Sequence, residues 1–429
     1  MLKRYSSSNK MLERALKSIP FGSQTFSKGR SHYPYGASPL FAQRGEGSSL
    51  WDVDGNEYID FVSALAAILL GYNDKDVIQA VKNQLDEGTV FSLSHSIESE
   101  VAEKIIKLIP CAEMVRFGKN GSDATAAAVR LARAYTCRDH IITCGYHGWQ
   151  DWYIGSTSRN LGVPKSTQKL THSFIYNDID SLQNVFSEFK NEVAAVIMEP
   201  MNSTYPKDGF LEAVKSLTHK NGAVFIFDEV ITGFRYSLGG AQELFNVTPD
   251  LATFGKAMSN GYPISAVVGR ADIMKLMEDI FYSFTFAGET ISLAATLATL
   301  NKLEKQPVLS TVNKQGEKVI KGINVLIEDH GVSDVFSLSG HPSWTFLSIN
   351  NLNSYSSFEV KTLLLQEMFK RGILTIGTHN MTFSHTDKDI ECLLAAYNEV
   401  FPFIKNAIDN KLLNNFIEGE ILKPLFKIR

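Results

Sequence analysis

Cysteine is scarce, with four residues in 429 at irregular spacings, too few and too scattered for a disulfide framework. The longest apolar stretch, around Ala64 to Gly71, falls well short of the ~18–20 residues that cross a bilayer. No block of lysine or arginine stands out and the net charge is −4, so the electrostatic footprint of a nucleic-acid binder is missing. The start, Met1-Leu-Lys-Arg-Tyr-Ser-Ser-Ser, is basic but has no apolar run behind it, and no secretory signal is expected. Neither G-x-x-x-x-G-K-[ST] nor a strand-linked G-x-G-x-x-G occurs, which leaves nucleotide-binding enzymes without support. There is no internal repeat and no long polar linker. The expectation is a cytoplasmic protein with neither membrane nor nucleic-acid partners.

What remains is ordinary globular chemistry: 44% hydrophobic and 21% charged residues, in a chain long enough for two or three domains. A short helix is predicted from about Ser8 to Ile19. Two β-prone runs flank Asp54-Gly55-Asn56 within residues 49–61, a hairpin pattern. A helix is expected next, from Asp74 to Glu87. From there to about residue 300 helical stretches such as Ile97–Leu108 and Thr125–Tyr135 alternate with short apolar runs: Met114–Phe117, Ile141–Thr143, Ala194–Met198, Ala223–Phe227, Leu251–Phe254 and Ser265–Val268. That alternation predicts an α/β fold with a mostly parallel central sheet covered by helices. After about residue 310 longer helices with few strands suggest a second, smaller domain.

In such sheets ligands bind beyond the carboxyl ends of the strands. One run delivers Asp228-Glu229 there, and the next delivers Gly255-Lys256. Taken singly, Lys256 is a solvated loop lysine and Asp228 a helix cap. Taken together they suit pyridoxal-phosphate chemistry: a lysine in an apolar cleft forms a Schiff base, and an aspartate keeps a pyridine nitrogen protonated. Gly121-Ser122-Asp123 opens an alanine-rich helix and offers N–H groups, a hydroxyl and a positive helix end to a phosphate, although an ordinary helix cap reads the same way. Tyr146 comes just after the run 141–143, where it either stacks on a cofactor ring or packs as a buried structural side chain. Cys137, His140, Cys144 and His147 make a C-x2-H-x3-C-x2-H string, but its spacer reads as a strand and no metal is expected.

Here the residues resemble a family. Phe227-Asp228-Glu229-Val230-Ile-Thr232-Gly233-Phe234-Arg235 is similar to the D-E-V-x-T-G-F-R signature of class III aminotransferases, fold-type I pyridoxal-phosphate enzymes. Lys256, Gly121-Ser122-Asp123-Ala124, Tyr146-His147-Gly148, Glu199-Pro200 and the hairpin 50–61 match further motifs in order, from about residue 35 to 400. The resemblance implies a large cofactor domain over residues 61–310. It also implies a smaller α+β domain built from both termini, with 1–60 joining 311–429. It implies that Lys256 holds the cofactor as an aldimine and shuttles protons, that Asp228 pairs with the ring nitrogen, and that Val230 and Tyr146 cover the ring faces. Gly121, Ser122 and Asp123 belong to its phosphate turn, and His147 and Glu199 to its cofactor site. Thr285 resembles a threonine that reaches the partner subunit's phosphate, implying a homodimer with shared sites. The chain departs there, with Glu289-Thr290 where the family has Asn-Pro.

The flavour is closest to glutamate-1-semialdehyde aminomutase, yet the substrate side differs. Leu65 stands where that enzyme has tryptophan, Gly377 falls at its acidic position, and its early arginine has only an offset counterpart in Arg30. The C-terminal arginine of many class III transaminases is missing, and Thr378-His379-Asn380-Met381-Thr382 stands there instead. Carboxylate recognition favours a bidentate arginine. The expected function is therefore intermolecular transfer from an amino acid, L-glutamate, to an aldehyde or ketone such as a sugar intermediate. Trp149, Gln150, Asp151 and Trp152 are candidate contacts to that acceptor, with interface packing as the alternative. Aminomutase-type intramolecular transfer is the alternative reading. Decarboxylation and racemisation stay open, and a non-catalytic relative would have little reason to retain Lys256 and Asp228 together.

Overall fold

The computed structural model of the chain describes residues 3–424. The chain divides into two compact units, one of residues Lys75–Leu309 and one built from the segments before and after it, up to Asp74 and from Ser310 onward. Among the described residues, no helix is long and apolar enough to cross a membrane.

The unit of Lys75–Leu309 is built on a seven-stranded sheet. Its spatial order is Met114–Gly118, Ser265–Gly269, Leu251–Phe254, Val224–Asp228, Val193–Met198, His140–Cys144 and Thr171–Ser173. The last five of these pair parallel. Every residue of Val193–Met198 and Val224–Asp228 is buried, which is why both read as unbroken apolar runs rather than alternating ones. Helix Gly121–Thr136 covers the sheet with Ala124, Ala127, Ala128 and Ala132; these short side chains let its backbone approach the strands, and Leu131 and Val129 fill the space between.

The sequence pattern did not foresee one strand's direction. Ser265–Gly269 runs antiparallel to both neighbours. A parallel return needs a crossover of about a dozen residues or more, usually a helix, and only the short segment 255–264 connects it to Leu251–Phe254. The edge strand Thr171–Ser173 is three residues long and carries too little pattern to be read in advance.

The other unit holds a four-stranded sheet, Ala42–Glu46, Ser49–Asp52, Glu57–Asp60 and Ile373–Leu374, and a three-stranded one, Phe336–His341, Trp344–Ile349 and Thr378–Asn380. The hairpin of residues 49–60 turns where Asp52 Oδ1 accepts the amides of Asp54 at 3.0 Å and Asn56 at 2.8 Å. Just after it, Ser63, Ala64, Leu65 and Ala66 are all left-handed, with φ of 46°, 50°, 60° and 68°. Without glycine each such residue costs roughly 1–2 kcal/mol. The turn is held by Asp60 Oδ1, which accepts the amides of Val62 at 2.7 Å and Ser63 at 3.0 Å, and by Ser63 Oγ donating to Asn380 O at 2.7 Å. Leu65 borders a cavity of about 410 Å³ in this unit, together with Tyr33 and Leu374. Arg30 lies with its guanidinium carbon 5.4 Å from the centre of the Phe21 ring.

Candidate active site

Asp228 ends the strand Val224–Asp228 and lies opposite Thr253 of the neighbouring parallel strand. Adjacent parallel strands thus deliver Asp228 and Lys256 to one end of the sheet. The Asp228 carboxylate is buried and locked by three groups. Oδ2 is 2.8 Å from His147 Nδ1, while Oδ1 accepts from Thr253 Oγ1 at 3.2 Å and from Val230 N at 3.1 Å. His147 is fully buried, and its Nε2 has no hydrogen-bond partner among the described residues. With Nδ1 on the carboxylate, the imidazole is held in one orientation against Asp228. Glu229 serves the scaffold instead, accepting from Thr232 Oγ1 at 2.9 Å and Gln242 Nε2 at 3.0 Å.

Lys256 opens a short 3₁₀ turn with φ of 41°, inside the left-handed region. Its side chain is largely buried, and burial, reinforced by the Arg235 guanidinium, lowers its pKa to about 8 against the opposing pull of Glu199 and Asp228. Its ammonium makes no hydrogen bond or ion pair among the described residues. An amine that no side chain holds and whose pKa burial lowers to about 8 is equipped to act as nucleophile and proton carrier.

Glu199, just past Val193–Met198, accepts from Tyr146 N at 3.0 Å and Asn202 Nδ2 at 3.1 Å. Burial and the Asp228 charge raise its pKa. Gly145 makes that approach possible: its φ is +113°, and a Cβ there would lie 2.4 Å from Glu199 Oε2. The chain thereby presents Tyr146 with half its surface exposed, its ring edge-on to Tyr153 at 5.6 Å. Of the two tryptophans considered for acceptor contacts, Trp149 is 66% exposed and Trp152 only 7%. Trp152 stacks over His147 within the core and is removed from that role.

The turn before Gly121–Thr136 is built by its own polar groups. Asn120 caps the helix, and Asp123 Oδ2 accepts the amides of Lys119 at 2.9 Å and Asn120 at 3.0 Å. Asp123 therefore shapes the turn from behind. The amides of Gly121 and Ser122 make no hydrogen bond among the described residues, which leaves the positive helix end open to an anion. Ser122 is buried, with Oγ accepting from Trp149 N at 3.2 Å. Val230 packs on Gly121 so closely that a Cβ there would meet its Cγ1 at 2.9 Å. Thr285 is exposed on the loop before Thr290–Lys305.

These residues fit pyridoxal phosphate: free helix-end amides for its phosphate, a locked carboxylate for its ring nitrogen, and an unpartnered lysine for its carbonyl. Sequence reasoning missed Thr253, Gly145 and the Lys119–Glu289 ion pair at 2.9 Å. All three matter through register or contact between segments distant in sequence, and none carries a local signal beyond the departure at Glu289.

Comparisons with known proteins agree with this geometry. The model of the family "Aminotransferase class-III" matches residues 32–386. A 3-aminobutyryl-CoA aminotransferase of Cloacimonas acidaminovorans is 35% identical over 93% of this chain and 97% of its own length. A glutamate-1-semialdehyde 2,1-aminomutase of Methanothrix thermoacetophila is 40% identical over 78% of this chain and 81% of its own. Among solved structures, the PLP internal aldimine form of the FumI protein of Sphingopyxis sp. MTA144 superposes with a TM-score of 0.87 at 27% identity, covering 94% of this chain and 97% of that one. With a fold-type I architecture and a family match over most of its length, the chain belongs to the class III aminotransferases, enzymes that depend on pyridoxal phosphate.

Proposed function

We propose that the protein transfers an amino group between molecules, from L-glutamate to an aldehyde or ketone acceptor, donor and acceptor using one site in turn. The observation that carries this reading is the largely buried, unpartnered ammonium of Lys256, with a pKa near 8, at the same sheet end as the locked carboxylate of Asp228. When bound, pyridoxal phosphate supplies a carbonyl that takes up the donor nitrogen and a ring that accepts the electrons released at the substrate carbon. Lys256 Nζ accepts the proton leaving the donor carbon and returns it at the neighbouring position. Asp228, immobilised by His147, Thr253 and Val230 N, holds a proton on the ring nitrogen. Gly121 and Ser122 bind the phosphate, Asp123 holds their turn, and Tyr146 and Val230 flank the ring. Glu199 holds the backbone of Tyr146 in place.

A sugar intermediate is the acceptor we infer, supported by the exposed flat face of Trp149 close in sequence to Tyr146. His379, within the stretch that stands in place of the missing arginine, is fully buried between Thr345 Oγ1 at 2.8 Å and Tyr397 OH at 2.9 Å. A homodimer is supported by exposed apolar side chains on two adjoining loops, Val90, Phe91 and Leu93 on one and Phe286 on the other, tied by Thr290 N donating to Thr89 O at 3.0 Å. A cytoplasmic location belongs to the same reading. The 3-aminobutyryl-CoA aminotransferase relative supports intermolecular transfer. The aminomutase relative favours the second reading, intramolecular transfer.

The test is the visible spectrum of the holoenzyme before and after L-glutamate. Bleaching of the cofactor band as 2-oxoglutarate accumulates is the expected result. An unchanged band with glutamate, but turnover of glutamate-1-semialdehyde, would replace this reading with the aminomutase one.

A further inference from the structure

Lys119 lies two residues before Gly121 of the turn, and its ammonium is paired across to a distant segment. Nζ lies 2.9 Å from Glu289 Oε2, with 19% of the lysine and 16% of the glutamate side chain exposed. It also lies 3.4 Å from Ser292 Oγ. Glu289 simultaneously caps the helix Thr290–Lys305, accepting from Ile291 N at 2.7 Å, Ser292 N at 3.2 Å and Ser292 Oγ at 2.7 Å. Burial alone would raise the Glu289 carboxyl, but the bonds from Ser292 and Lys119 bring it below its ordinary value.

Neither element needs this pair for its own structure. The helix cap is complete with Ile291 and Ser292, and the turn is already held by Asp123 through the Lys119 and Asn120 amides. What the pair adds is a charge-assisted tie between segments 170 residues apart. The second segment is the loop bearing Thr285, which is itself confined: a Cβ on Gly288 would lie 2.7 Å from the carboxylate of Glu98.

We propose that Lys119 and Glu289 form a clamp that fixes the phosphate-binding turn against the Thr285 loop and so sets the enzyme's affinity for the cofactor's phosphate. Both are positioning residues, and the clamp rests on Gly121 and Ser122 being the phosphate site. It also accounts for the Glu289 departure noted in the sequence, since an asparagine could cap the helix but could not hold Lys119 by charge.

The experiment compares binding of pyridoxal phosphate and of pyridoxal, which lacks the phosphate, to wild-type protein stripped of cofactor and to Glu289→Gln, Lys119→Met, the double variant and Ser122→Ala. Glu289→Gln keeps acceptor oxygen for the cap while removing the charge. It should weaken pyridoxal phosphate about tenfold and leave pyridoxal within about twofold, the scale of one partly exposed charge-assisted bond. The double variant should bind no more weakly than either single one, because all three break the same contact. Wild-type affinity in Glu289→Gln while Ser122→Ala binds weakly overturns the clamp alone, as does equal weakening of both ligands. Wild-type affinity in Ser122→Ala as well overturns the phosphate site and the clamp with it.

Discussion

An ordinary lysine, with pKa near 10.5, is unprotonated in about one molecule in 3,000 at pH 7. Lowered to about 8, Lys256 is unprotonated in about one in ten, a gain of about 300-fold in the reactive form. The assay is stopped-flow mixing of cofactor-free protein with excess pyridoxal phosphate from pH 6 to 10 at constant ionic strength, with Lys256→Ala as control. The rate of cofactor capture should rise about tenfold per pH unit at first, bend near pH 8 and level off above it. Burial is the main cause of the shift, and Glu199 is the first charge opposing it. Glu199→Gln should therefore move the bend to lower pH. A rate still climbing at pH 10 would mean that Lys256 is an ordinary solvated lysine and would refute the argument. So would equally fast capture by Lys256→Ala, or a bend that moves upward in Glu199→Gln.

Burial lowers the pKa of His379 to about 3 from 6.5, so its contribution to stability is complete above about pH 6.5 and is lost as pH falls toward 3. By linkage the loss at pH 5 is about 2 kcal/mol; urea unfolding of wild type and His379→Asn at pH 7.5 and pH 5 should show the wild type losing more by roughly that amount, and equal losses would contradict it. Gly145→Ala should lower stability by roughly 1–3 kcal/mol through a left-handed residue and a displaced carboxylate and should weaken cofactor binding, because its Cβ would meet Glu199 Oε2 at 2.4 Å; thermal unfolding and cofactor titration check both, and wild-type values in each would remove Glu199 from the site.

Much of this site is legible along the chain because its parts are local. A strand buried on both faces reads as an apolar run, and the residues just past its end are the ones the sheet presents, so Asp228, Glu199, Tyr146 and Lys256 can be picked out before any contact is known. The glycine-serine turn is equally local, a cap leading into an alanine-rich helix. Trp149 and Trp152 show the limit: three residues apart and alike in composition, one is 66% exposed and the other 7%. Asp228 and Glu229 diverge in the same way, one held at the sheet end and the other turned toward Gln242 of the short helix Ala241–Leu244.

The sequence by itself determined the alternation of helices and strands, the hairpin at 49–60, the family, and the residue types offered at the strand ends. Each arises from periodicity or from motifs a few residues long, which act through neighbours on the chain. Tertiary structure alone decided that Ser265–Gly269 runs antiparallel, that Thr253 and His147 lock Asp228, and that Glu289 holds Lys119 rather than merely capping a helix. It alone decided, too, that His379 is neutral and buried. These outcomes depend on burial and on pairings between residues far apart in sequence, and both desolvation and hydrogen-bond geometry come into being only when the segments meet.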